Sequence, residues 1–331
     1  MGICYLCERD KKLNSEHIIP QCLGGVLTAT LYCTECNGEC GHNVDVELAR
    51  QFGRYATLLQ VARERGENQP FTIVEEQSGI RLRCDGKMFT RADPSVRIET
   101  DESGVLTEAE VLARSERELK AILKRIAEKY NIDPNLGVFE QVENPPPEAS
   151  HEFVLDNMLI RRTVAKIAYG FACMKLPEDQ VRSKEFDPIR AFILGTSDDS
   201  RVSANFAHGN FMVDNQRPLH KVHLRLDRAA RLLVGYVALF GTFRYTVLLA
   251  DGIVSEVEWA GIDYTYNPVT QREVEGNENF VAPRISRDDV LAPKHSKEQV
   301  LAALQRGHEV IAAHSTVLKE VHLEAVPGDG T

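Results

Sequence analysis

Six of the eight cysteines lie in the first forty residues, and four of these form two C-x-x-C units, Cys4–Cys7 and Cys33–Cys36. That spacing lets two thiolates of one tight turn reach a single ion at a zinc–sulfur distance of ~2.3 Å, and two such turns complete a tetrahedron. In a reducing compartment the pattern reads as a structural Zn2+ site rather than as two disulfides. Midway between the units is Glu16-His17, followed by Ile18-Ile19-Pro20 and Gly24-Gly25. A neutral His17 can accept a proton from water near pH 7. The Glu16 carboxylate is a hard ligand suited to Mg2+ or Mn2+. Metal-assisted hydrolysis uses such a combination: a base for the attacking water, and a Lewis acid for developing negative charge. Cys22 and Cys40 have no partner at ligand spacing and read as packing residues. Cys84 and Cys173, in apolar-patterned segments, read the same way.

These side chains need a frame. Leu13–Ile19 has the pattern of a strand ended by Pro20, Gly24-Gly25 permits a tight reversal, and Val26–Tyr32 can return as a second strand. A helix can begin after Cys33. Turn, hairpin and helix in this order make a treble-clef layout, with one C-x-x-C before the hairpin and one at the helix start. Adjacent strand residues point to opposite sides, so Glu16 and His17 would act from opposite faces of the hairpin. So short a segment buries too little apolar surface to fold unaided. A structural zinc, worth on the order of 10–16 kcal/mol, would supply the deficit.

Glu16-His17-Ile18-Ile19-Pro20, Gly24-Gly25 and Cys33-Thr34-Glu35-Cys36-Asn37 together resemble the HNH (ββα-metal) endonuclease family, in its branch with two zinc-binding C-x-x-C pairs. The resemblance spans about residues 4–50, including Gly41 and Asp45. It implies that His17 is the general base, that Glu16 binds a catalytic divalent ion, and that Asn37 takes the family's final metal-ligand position. The family's middle Asn, which orients the loop holding the base, falls on Thr28, a residue with a shorter hydrogen-bonding reach. His42 is a weaker candidate ligand, because Gly41 and Asn43 around it read as a turn.

The rest of the chain carries no motif that translates into chemistry. A helix is expected from Asn43, with Leu48, Phe52, Tyr55, Leu59 and Ala62 on one face. Strand-like runs follow at Phe71–Glu75, Ile80–Cys84 and Val96–Thr100. Thr107 and Glu110 form a capping-box pattern that would open a helix through Ile126. Its charges pair at i,i+4 (Glu110–Arg114, Glu116–Lys120) and read as a solvated face. Beyond the proline run at 145–147 a helix carries Ile160, Val164, Ile167 and Phe171. Arg161, Arg162 and Lys166 on its other side could touch phosphates, but a polar helix face is the simpler reading. Alternation at Val222–Leu226 and Phe243–Val247 marks strands, in which His220 and His223 would point to opposite faces. A helix near Ser296–Val321 closes the chain.

The expected fold class is α+β: an N-terminal zinc-bound ββα-metal motif and a larger α+β C-terminal domain. The expected division is 1–142 for the nuclease-like part with its extension, 143–152 for a Pro-rich linker, and 153–331 for a domain that selects substrate, mediates assembly or senses a ligand. No apolar run reaches the ~18 residues of a membrane span, and the start lacks the layout of a signal peptide. A cytoplasmic location with no membrane partner is expected. The net charge of −10 argues against nonspecific coating of nucleic acid, though not against a cleft with a few basic groups. The leading expectation is a metal-dependent endonuclease acting on DNA, in restriction or antiphage defence by family context, with self-association or a partner protein engaged through residues 153–331. Its competitors are a non-catalytic treble-clef module for nucleic acid or protein, and a ligand-sensing regulator that carries the finger.

Overall fold

Two short strands, β1 (Gly2–Ile3) and β2 (Asp10–Lys11), pair around the first C-x-x-C turn in the computed structural model of the chain. It describes residues 1–64, 66–74, 79–113, 115–133, 157–205, 217–253, 261–274, 286–292 and 296–317. Strand β3 (Leu13–His17) then pairs antiparallel with β4 (Thr28–Cys33). The ladder stops at His17, two residues short of the sequence expectation, although the Ile18 N–H still donates to the Leu27 carbonyl at 2.9 Å. Both glycines of the reversal are required. Gly24 has φ of +88°, and a Cβ on Gly25 would lie 1.9 Å from the Ile19 carbonyl oxygen.

After β4 the chain is helical from Thr34 to Leu58: α1 (Thr34–Glu39), a π turn (Cys40–Val44) and α2 (Asp45–Leu58). The break expected at Gly41 and the start expected at Asn43 do not occur. The Asp45 N–H reaches back to the Cys40 carbonyl, so one wider turn absorbs both residues, and buried Cys40 and Val44 tie that turn to the core. Leu48, Phe52 and Leu59 are buried as the helical pattern requires, while exposed Ala62 lies beyond the helix end.

Three strands follow as an antiparallel sheet, β5 (Phe71–Val74), β6 (Arg81–Cys84) and β7 (Phe89–Arg91). Next come a ribbon of β8 (Ser95–Thr100) with β9 (Leu106–Leu112) and helix α3 (Glu116–Tyr130). The helix expected from Thr107 is therefore a strand as far as Leu112. Cross-strand pairs Val96–Val111 and Ile98–Ala109 outweigh the local capping pattern. The true cap is Ser115, whose hydroxyl accepts the Glu118 N–H at 3.3 Å.

The C-terminal part is larger. Helix α4 (Met158–Lys175) leads into α5 (Glu178–Val181) and α6 (Asp187–Ile193). It lies against a six-stranded antiparallel sheet of β10 (Val202–Ala204), β11 (His220–Asp227), β12 (Leu232–Leu239), β13 (Phe243–Asp251), β14 (Ile262–Asn267) and β15 (Arg272–Glu273), in the order β10-β13-β12-β11-β14-β15. Helices α7 (Arg287–Leu291) and α8 (Lys297–His314) follow. Ser296 caps α8 with a full capping box to Gln299. The expected linker at 143–152 and the last residues of the expected final helix lie outside the described residues.

One apolar core joins the two ends of the chain. Leu6, Ile18, Tyr32, Leu48 and Phe52 belong to the same buried cluster as Ile160, Val164, Phe171 and Phe243. The Phe52 and Phe243 rings sit 4.4 Å apart. Among the described residues, no helix is long and apolar enough to cross a membrane.

Candidate active site and zinc centre

The zinc frame follows from local geometry. The Cys4 carbonyl accepts the Glu8 N–H at 3.0 Å, with Glu8 at φ 55°, which closes the first turn. The Tyr5 N–H donates to the Leu31 carbonyl at 3.0 Å and ties this turn to β4. The Cys4 sulfur accepts the Cys33 N–H at 3.2 Å. The Cys33 sulfur caps α1 by accepting the Cys36 N–H at 3.5 Å. Sulfurs of Cys4, Cys7, Cys33 and Cys36 all lie within 4.8 Å of one another, and no other such group of metal-binding side chains occurs among the described residues. Sulfurs on a tetrahedron of ~2.3 Å radius are about 3.8 Å apart. Cys7 and Cys33 are separated by 3.9 Å. The donor set therefore fits a structural zinc.

The other cysteines are packed. Burial pushes the thiols of Cys22 and Cys84 up to about 11, and those of Cys40 and Cys173 up to about 12. Cys40, Cys84 and Cys173 lie in the core cluster.

The hairpin sends Glu16 and His17 to different neighbours. His17 is 29% exposed, and its Nε2 lies 3.6 Å from a carboxylate oxygen of Glu64, in the segment after α2. Glu64 also accepts a hydrogen bond from Gln21 at 3.0 Å. Thr28 sits directly opposite His17 in the register of β3 and β4. Glu16 faces inward. Its Oε1 accepts a hydrogen bond from Lys166 Nζ at 2.5 Å, and the same ammonium donates to Asp45 Oδ2 at 2.5 Å. Lys166 is only 4% exposed. Burial by itself would lower its affinity for a proton, but the carboxylates of Asp45 and Glu16 more than offset this and hold the group charged. The second Asp45 oxygen, Oδ1, is buried with no hydrogen-bond partner.

Asn37 lies half-buried on α1 directly after Cys36, and its side chain makes no hydrogen bond to Glu16 or His17. His42 is exposed on the π turn. His220 and His223 take separate partners, the Leu23 carbonyl at 2.8 Å and Asp263 at 2.5 Å.

Three residues of this neighbourhood take roles the sequence does not assign: Glu64 carries no reading, Asp45 enters only as part of the resemblance, and Lys166 reads as a phosphate contact or a polar helix face. Lys166 is also not part of an exposed basic face. Arg161 bonds Ser200 and Arg162 pairs with Asp198, while Lys166 points into the hairpin. One signal was present: Lys166 is the single charge between Thr163 and Met174, which marks it as buried and paired rather than solvated.

The HNH endonuclease family model matches residues 4–53. The similarity is confined to that segment. The match covers both C-x-x-C units, the Glu16-His17 hairpin, Asn37 and Asp45, and it stops before Glu64 and Lys166. No curated protein and no solved structure matches the chain.

Proposed function

We propose that this chain is an HNH endonuclease that hydrolyses phosphodiester bonds in DNA, using a structural Zn2+ and a divalent Mg2+ or Mn2+. The observation that carries the reading is the Glu16-His17 pair on a hairpin framed by four clustered cysteines, within the segment that matches the HNH model. His17 acts as the general base. At 3.6 Å the Glu64 carboxylate is too far for a hydrogen bond and acts through its charge, favouring the ring proton on Nε2. Nδ1 is then the nitrogen that takes the proton of the attacking water. Thr28 braces the opposite strand.

Glu16 and Asn37 would hold the divalent ion, Glu16 through Oε2, the oxygen that Lys166 does not engage. Hard oxygen donors of this kind, beside an Asp45 oxygen that lacks a partner, suit Mg2+ or Mn2+. When bound, the ion supplies Lewis-acid stabilisation of the charge on the phosphoryl and departing oxygens. A chain of net charge −10 fits a few phosphate contacts at one cleft rather than broad adhesion to DNA. Unrestrained, such an enzyme would attack its own genome. We therefore infer a cytoplasmic role in restriction or antiphage defence, with the C-terminal part selecting substrate or engaging a partner.

One observation favours a rival reading. Glu16 is already paired with Lys166, as it would be in a non-catalytic zinc finger that binds nucleic acid or protein. Incubation of the zinc-loaded full chain with plasmid DNA, single-stranded DNA and RNA, with Mg2+ or Mn2+, separates the two. The nuclease reading expects divalent-dependent cutting of DNA that His17→Ala abolishes. DNA that is retained but never cut, under either ion, supports the finger.

A further inference from the structure

Lys166 lies outside the HNH segment, and the fold fixes it against that segment from several sides. Asn157, which caps α4, donates to Glu47 at 3.0 Å. Thr163 donates to the Val44 carbonyl at 2.9 Å, and Tyr169 to the Tyr5 carbonyl at 2.7 Å. At Gly170 a Cβ would come within 3.1 Å of both the Ile18 side chain and the Tyr32 hydroxyl, so any larger residue there would have to push these side chains aside. Thr163, Lys166 and Gly170 recur at helical spacing on one face, and that face is docked on β3, β4 and the π turn. The ammonium consequently meets Glu16 and Asp45 in one register only.

We propose that Lys166 is a positioning residue for the divalent-ion site: it holds Glu16 through Oε1, leaving Oε2 to the ion, and offsets one of the two negative charges beside it. This rests on the reading of Glu16 as an ion ligand. Two consequences oppose each other. A fixed positive charge next to the ligand weakens ion binding. The same contact keeps the carboxylate where the chemistry needs it. Loss of Lys166 therefore tightens the ion and slows the reaction, a combination that simple loss of folded protein does not produce.

The test uses the zinc-loaded full chain, with Mn2+ binding followed by electron paramagnetic resonance alongside DNA cleavage. Lys166→Met should bind Mn2+ about tenfold or more tightly and cleave roughly 100-fold more slowly. Lys166→Arg, which keeps the charge, should return both readouts to within a few-fold of wild type. The double variant Lys166→Met/Asp45→Asn keeps the local charge sum and guards against misfolding of the single variant. It should bind Mn2+ as wild type does and still cleave slowly. Wild-type cleavage by the double variant, or an unchanged Mn2+ midpoint in folded Lys166→Met, overturns the proposal. Glu16→Gln is the control for the underlying reading. If it leaves Mn2+ binding unchanged, Glu16 is not a ligand, and both that reading and this inference fall. If it abolishes binding while Lys166→Met changes nothing, the role of Lys166 alone falls.

Discussion

Residues 2–58 are organised around four sulfurs, whereas α4 and the six-stranded sheet are organised around aliphatic and aromatic side chains. The first region declares its chemistry in the sequence, because thiolate spacing, a Glu-His pair and two glycines are local patterns. The second declares none, yet it reaches into the first at several points, among them strand β3 and the turn of the hairpin. Lys166 from α4 pairs with Glu16, next to His17. His220 from β11 donates to the carbonyl of Leu23, in the turn that leads to Gly24 and Gly25. The part of the chain without motifs thus braces one strand and the turn of the hairpin that carries them.

Breaking the sulfur frame should give the largest effect. Metal analysis should find about one zinc per chain. Chelation, or Cys33→Ser, removes binding energy on the order of 10–16 kcal/mol. Amide exchange should then rise through residues 4–58 while β11–β13 stay protected. Uniform loss of protection in both regions would mean that the sulfur-held and apolar-held parts unfold as one unit.

Phe243→Ala tests the contact between the regions. The ring packs 4.4 Å from Phe52 and 5.0 Å from Tyr55, so truncation should cost about 3–5 kcal/mol by denaturant unfolding, with the zinc content unchanged. Zinc loss in that variant would show that the finger depends on the body for its shape.

A smaller effect comes from pH. His220 is fully buried, and burial lowers its pKa to about 4. Its Nε2 donates to Leu23, and its Nδ1 accepts the Phe240 N–H at 3.3 Å, so the neutral ring is fully satisfied. The unfolded chain gains a proton below about 6.5 while the folded chain does not. Stability is therefore intact above that pH and falls by roughly 3 kcal/mol as pH drops from about 6.5 to about 4. His220→Gln should flatten this part of the stability profile. A profile identical to wild type would mean that the ring is not held neutral by the fold.

The legibility of the sequence follows the same division. The hairpin, the cysteine cluster and the helix face of Leu48 and Phe52 depend on neighbours a few residues apart, so spacing predicts them. Glu16–Lys166 joins residues 150 positions apart, and no local pattern encodes such a contact beyond the oddity of one charge in an apolar helix. The π turn is not legible because Gly41 and Asn43 are ordinary helix breakers, yet a turn widened to i,i+5 bonding accommodates them. Thr107–Glu110 misled because a capping pattern also fits one side of a ribbon, and the partner strand that decides the matter lies in Ser95–Thr100.

The most direct measurement is the single-turnover rate of DNA cleavage by zinc-loaded wild type and His17→Ala, with DNA binding measured in parallel. Loss of a general base should lower the rate by roughly 10²–10⁴-fold and leave binding unchanged. Equal rates for the two proteins, or no cleavage by wild type under Mg2+ or Mn2+, would contradict the assignment of His17 as the base of an HNH nuclease.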